Sequence, residues 1–280
     1  MPDNIALCVY RYSRLLCTDY LFAVRYAMKK TSRTLAAGFA LWAGAVLADA
    51  PEVTPYRPTV SNPAALCAPG LLEAEAGVAR RRDDMGTRLF SAPYLFKYAF
   101  TKNFGVLLGG DAYLRQDDAD GNRLTGVGDT VAEIKLKHEF SASMAVGLET
   151  GVRFPTAKTG LGSGKNDYLV NGIFSADLGA MDFDLNLAYT RLGSVDEEEG
   201  RGEINWAGAL SGKLGGRWGW AGELSGTGQR GKSGRTQALA ALTYQPSRTL
   251  VFDCGLSHDL NRHTDETTLF AGFAVLFDRH

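Results

Sequence analysis

From Leu71 onward apolar residues recur at every second position, the mark of strands whose two faces meet different surroundings. Phe104, Val106, Leu108, Ala112 and Leu114 stand against Asp111, Tyr113 and Arg115. Ala132, Ile134, Leu136 and Phe140 oppose Glu133, Lys135, Lys137 and Glu139, and Met144, Val146, Leu148, Val152 and Phe154 oppose Glu149 and Arg153. On a helix these sets would scatter round the 3.6-residue period. The pattern predicts an all-β chain with strands at 71–82, 87–100, 104–115, 128–140, 144–154, 168–178, 182–192, 203–214, 218–225, 235–244, 249–259 and 267–277. Each runs to about 10 residues, the length that crosses a bilayer at a tilt.

The connections alternate as well. Thr101–Asn103, Ser141–Ser143, Gly179–Met181, Gly215–Arg217 and Gln245–Arg248 are three or four residues long. Those between them, at 116–127, 155–167, 193–202, 226–234 and 260–266, run from seven to thirteen, and only Asp83–Gly86 is short on that side. A soluble β-sandwich alternates along its strands too, but gives loop length no reason to alternate. Aromatics gather near strand ends, Tyr94, Phe96, Tyr98 and Phe100 in one run and Trp218 and Trp220 just after a turn, which suits a membrane–water boundary. The expected fold is therefore a twelve-stranded antiparallel transmembrane β-barrel of the outer-membrane type, preceded by a signal peptide, in a Gram-negative bacterium. Leu269, Ala271, Phe273, Val275 and Phe277 resemble the C-terminal signal read by the outer-membrane assembly machinery. That machinery and outer-membrane lipid are the expected macromolecular and lipid partners.

The 280 residues carry 30 Lys+Arg against 31 Asp+Glu, which excludes the basic footprint of a nucleic-acid binder. The 33 glycines suit turns and strand curvature. Met28 to Ala48 reads as a signal peptide, with Lys29, Lys30 and Arg33 before an apolar run ending in small residues. Cleavage is expected after Ala48, and residues 1–27 read as a misassigned start or an extension. The proline-rich stretch 49–70 cannot form a regular element. It is expected to lie on the inner side or fold into the lumen as a plug, ahead of a barrel at 71–277. Beyond the signal, Cys67 and Cys254 remain and are expected to be two separate thiols.

Charge on the non-apolar strand face is the main candidate chemistry. Lys97, Asp111, Arg115, Glu133, Lys135, Lys137, Glu149, Arg153, Asp184, Glu203, Lys213, Glu223 and Asp253 fall there, with Glu139 and Asp259. In lipid a charge costs up to about 2–4 kcal/mol at mid-depth, so these are pore-lining candidates. Leu95, Leu107, Tyr113, Ile173, Leu239 and Phe270 share the face. The set fits either a wet, partly apolar pore or a ladder of salt bridges that seals the barrel. Its mixed sign predicts weak charge selectivity.

Gly226 to Ser233 fits the phosphate-loop pattern, whose chemistry needs a helix start, yet 235–244 alternates like a strand. The histidines, His138, His258, His263 and His280, show no metal spacing. Ser257 and His258 are strand neighbours that point to opposite faces, so they cannot act as nucleophile and base. No catalytic, cofactor or metal site is expected. The function expected is a non-enzymatic channel for passive uptake of small molecules, aromatic or hydrophobic compounds among them. A closed structural or sensing barrel is the alternative.

Arg57-Pro58-Thr59-Val60-Ser61-Asn62-Pro63, with Pro69-Gly70 and Leu72-Glu73-Ala74-Glu75, resembles the mature N-terminus of an outer-membrane transporter family. Gly126-Val127-Gly128-Asp129, Pro155, Gly160 to Lys165, Asp167-Tyr168 and Leu269 to Phe273 are similar to its further landmarks. This is the transporter family of the phenol meta-cleavage degradation pathway. The resemblance spans roughly residues 55–277 and implies an outer-membrane uptake channel without naming a solute or any binding residue.

Overall fold

The computed structural model describes residues 50–83, 85–261 and 266–277. The expected signal peptide at 28–48 and the stretch 1–27 lie outside the described residues. The strands are β1 (Leu72–Arg82), β2 (Arg88–Ala99), β3 (Phe104–Asp117), β4 (Arg123–Gly126), β5 (Thr130–Ser141), β6 (Met144–Phe154) and β7 (Asp167–Asp177). They continue as β8 (Met181–Arg191), β9 (Gly202–Gly215), β10 (Trp218–Gln229), β11 (Arg235–Ser247), β12 (Leu250–Asp259) and β13 (Thr267–Phe277). Neighbours pair antiparallel, and β1 pairs with β13 from Leu72↔Phe277 to Arg82↔Thr267. The sheet thereby closes, which a hydrocarbon environment requires because it leaves no edge groups unpaired.

Twelve strands make the wall. The thirteenth, β4, is a short addition inside the connection expected as a loop at 116–127, and it pairs only with the outer end of β3. β10 runs to Gln229, beyond the expected end at Ser225. Gly226 to Ser233 is thus strand and turn within a β-hairpin, and the phosphate-loop pattern has no helix start behind it. The tight turns lie at the end that carries Leu72 and Phe277, called the inner end here, and the long loops at the other.

The two faces separate as a membrane wall requires. Leu108, Ile134, Leu148, Val170, Leu187 and Leu256 point outward and stay exposed, while Leu107, Val131, Leu169, Ile173, Ala207 and Leu239 point inward and are buried. Aromatic pairs mark both boundaries: Phe90–Tyr113 at the outer end, Tyr98–Phe100 and Trp218–Tyr244 at the inner.

One bulge corrects the expected faces. Ser91 pairs with Leu114 but Pro93 with Asp111, so Ala112 and Tyr113 together oppose Ala92. Pro93 has no N–H to give the ladder, and the extra residue on β3 absorbs the break. Beyond it the phase inverts: Leu114 turns inward and is buried, and Tyr113 is exposed beside Phe90. Arg115, opposite Phe90, faces outward as well. Tyr113 and Arg115 therefore do not share the inward face where the alternation placed them.

Candidate functional site in the barrel lumen

Residues 50–71 are irregular, and an irregular backbone inside a barrel must find partners for its N–H and C=O groups. The inward side chains of the strands supply them. Glu73 on β1 accepts from the backbone N–H of Thr54 (2.9 Å). Glu75 accepts from those of Tyr56 (2.7 Å) and Arg57 (3.0 Å). Further in, Ser61 N–H donates to Glu223 (2.7 Å), Asn62 N–H to Asn186 (3.0 Å) and Ala64 N–H to Ser175 Oγ (2.7 Å). The Asn62 amide also donates to both oxygens of Glu149.

Two buried lysines hold the same segment from the wall. Lys97 on β2 donates to Thr54 O (2.6 Å) and pairs with Glu73 (2.6 Å) and Glu75. Lys135 on β5 donates to Pro63 O (2.5 Å) and pairs with Glu149 (3.1 Å). Both ammonium groups stand over the Tyr56 ring, 3.9 and 4.1 Å from its centroid, and its hydroxyl donates to Ala65 O. Such a cation–π contact is strongest where water is excluded. The segment is thus folded back on itself around a tyrosine that both lysines face.

Arg57 forms the third anchor. Its guanidinium donates two bonds to Asp253 on β12, from Nε (2.9 Å) and Nη2 (2.8 Å). It lies across the β1–β13 seam over the facing glycines Gly77 and Gly272, where a Cβ would come within 2.8 and 2.5 Å of the guanidinium group. Any larger residue at either glycine would displace the arginine.

The outer half of the lumen has a separate set of charges. Arg153 pairs with Asp167 (2.9 Å); Arg235 pairs with Asp259 (2.7 Å) and Glu266, which also meets Arg81 (3.3 Å). Glu203 accepts from Asn205, which accepts from Thr227. Between this ring and the N-terminal segment is a cavity of about 220 Å³. Leu95, Leu169, Leu239 and Phe270 contribute apolar wall to it; Asn171, Asn186, Gln237 and Ser257 contribute neutral polar groups.

The remaining candidates fall elsewhere. Asp111 and Glu133 are buried in the wall, and Asp184 accepts from Ser175, which holds Ala64. Lys137 pairs with Glu139 (2.6 Å) at the inner end of β5, and Lys213 is exposed beside the β9–β10 turn. Arg115 meets Asp117 on the outside. Glu73 and Glu75, central to the network, are family landmarks absent from the pore-lining candidates; the signal that places them inward is the Glu-Ala-Glu-Ala alternation at the start of β1.

The two cysteines are free thiols. Cys67 is buried, and burial followed by the nearby Glu73 charge pushes its thiol up; Cys254 is exposed on the outward face. Ser257 is buried and His258 exposed, on opposite faces of β12. At the outer end, the Asp129 carboxylate accepts from the N–H groups of Ala157 (3.0 Å) and Ser163 (2.7 Å). A Cβ at Gly162 would stand 2.4 Å from Asp129 Oδ1. The landmarks Gly126 to Asp129 and Gly160 to Lys165, distant in sequence, therefore pack together.

Solved structures share this architecture. The COG4313 outer membrane channel from Pseudomonas putida F1 superposes with a TM-score of 0.59 at 13% identity, covering 76% of this chain and 97% of that one. The NanC porin gives 0.54 at 9% identity, covering 72% of this chain and 98% of its own. No curated protein matches the chain. Residues 56–277, from the tyrosine that both lysines face to the end of β13, match the family described as "Putative MetA-pathway of phenol degradation", and the chain belongs to that family.

Proposed function

We propose that this protein is a passive outer-membrane channel for small, largely apolar molecules, with single-ring aromatic compounds the class its lumen suits best. One observation carries the reading: a cavity of about 220 Å³ in which apolar wall and neutral polar groups stand beside the partnered charges of Arg57, Arg153, Glu203 and Arg235, directly against a segment fastened to the wall by hydrogen bonds and ion pairs. An apolar cavity of about 150 Å³ already accepts benzene. The polar groups beside the hydrocarbon wall would suit a ring bearing a hydroxyl. Residues 51–69 act as a plug at rest, and passage requires them to shift from the inner half of the lumen. The inward charges serve as plug anchors and wall ion pairs, not as catalytic groups. The partners of this reading are the solute, outer-membrane lipid, and the assembly machinery that receives the last strand.

Conductance in planar bilayers tests it. The full-length protein should give rare, small steps, and a chain lacking residues 51–69 should open frequently and admit phenol-sized solutes into liposomes. A deletion chain that folds, by its heat-dependent gel shift, yet gives no steps and no solute entry would establish the closed structural barrel instead.

A further inference from the structure

The outward face of the wall should be uncharged where it meets hydrocarbon, and over most of the barrel it is. From β5 to β13 the described strands carry a single charged side chain on that face, Arg191 at the outer end of β8. On β1 to β4 the outer rim is different. Arg80 and Arg82 point outward from the end of β1, Arg88 from the start of β2, Arg115 from β3 beyond the bulge, and Arg123 from β4.

These arginines are neighbours in the sheet. Arg82 stands directly opposite Arg88, and Arg80 directly opposite Phe90, which in turn stands opposite Arg115. Like charges directly opposite each other destabilise a sheet unless something of opposite sign lies between them. Among the described residues Asp117, across from Arg88, is the one acid on this face, and its carboxylate is engaged by Arg115 (2.7 Å) and Arg123 (2.6 Å). Arg80, Arg82 and Arg88 are left as an exposed cationic patch.

Their height on the wall is set by the strand. Leu72 marks the inner end of β1, and Arg80 to Arg82 lie eight to ten residues along it. At about 3.3 Å per residue and a tilt near 40°, this is roughly 20–25 Å above Leu72, the upper edge of the apolar band. Val78 below the patch, and Phe90 and Leu269 on either side of Arg80, present exposed hydrocarbon. A guanidinium cluster at the headgroup level over an apolar strip matches an amphiphile with phosphate groups above acyl chains.

We propose that the outward rim of β1–β4 is a docking surface for the phosphorylated glycolipid of the outer leaflet, with Arg80, Arg82 and Arg88 taking its phosphate groups. Full-length protein is reconstituted into phosphatidylcholine vesicles alone, with diphosphorylated lipid A, or with the same lipid dephosphorylated, and its unfolding temperature is read by gel shift. The diphosphorylated form should raise the midpoint by roughly 3–5 °C over the dephosphorylated one. R80Q/R82Q/R88Q, at three exposed positions, should abolish that shift, and R191Q on the far side should keep it. An equal rise with the dephosphorylated lipid, an equal rise with inorganic phosphate in plain vesicles, or an unaltered shift in the triple variant would each overturn the assignment.

Discussion

Replacing Arg57 by Met tests the plug most directly. The guanidinium makes two charge-assisted bonds to Asp253, whose side chain is 2% exposed against 19% for Arg57. Removing one partner of a buried pair costs about 3–5 kcal/mol, because the other is left charged and uncompensated. Water reaches the arginine side of this pair, so about 2–3 kcal/mol is the better figure. Every 1.4 kcal/mol is tenfold in an equilibrium constant, which makes the plug-out state roughly 30–140-fold more populated. Arg57→Lys keeps the charge but loses the fork, and should stop at about tenfold. The assay is the open fraction in planar bilayers at fixed voltage and salt. Asp253→Asn should act like Arg57→Met, and the double variant should be less open than the two effects combined, since neither residue then leaves a buried charge behind. An open fraction within twofold of wild type for Arg57→Met, in a barrel that still shows its gel shift, would refute the plug reading.

Three further outcomes follow from the same geometry. In a Cys254→Ser chain, Cys67 should resist a water-soluble maleimide until the plug leaves. Burial holds its thiol above the ordinary value, so thiolate is scarce at pH 8 and labelling should climb only at higher pH; prompt labelling by mass spectrometry in the resting protein would contradict its placement. Ile134→Arg, at mid-wall on the lipid side, should cost about 2–4 kcal/mol in a denaturant titration in bilayers, and wild-type stability would contradict the assigned faces. Removing residues 51–69 should leave a cation-selective pore, measured as a reversal potential across a KCl gradient.

The wall was legible because its two environments write a period of two into the chain. What escaped was local compensation. β10 extends past Ser225 through Gly226-Thr227-Gly228-Gln229, which has no apolar side chain to mark the lipid face. The ring of Trp206 on β9 covers that gap, since a Cβ on Gly226 would come within 2.7 Å of Trp206 Nε1. The bulge at Ala112–Tyr113 was hidden for a different reason: Leu114 and Tyr113 both suit either face, so the phase change left the pattern plausible on each side of it. The site was less legible than the wall. Proline in 51–69 showed only that no regular element forms there. The partners of that stretch lie 19 residues away for Tyr56 and Glu75 and 196 for Arg57 and Asp253, and only closure of the barrel brings the latter together.

The balance of buried charge follows from the plug as well. Among the described residues eleven carboxylates are buried against four cationic side chains, far from the even mixture that predicted weak selectivity. Three of these acids, Glu73, Glu75 and Glu223, accept from backbone N–H groups of the N-terminal segment, and Glu149 accepts from its Asn62 side chain. A segment without regular structure carries donors that no strand can satisfy, and inward carboxylates are strong acceptors for them. The acid excess thus offsets the dipoles of an irregular backbone, so with the plug seated it presents little field to a passing ion. An uncharged solute gains or loses little by crossing such a lumen, whereas a cation would be held once the plug has moved. The same carboxylates that fasten the segment should therefore disfavour anions when it leaves, and in the channel proposed above the uncharged wall of Leu95, Leu169 and Leu239 would be the path of a neutral ring.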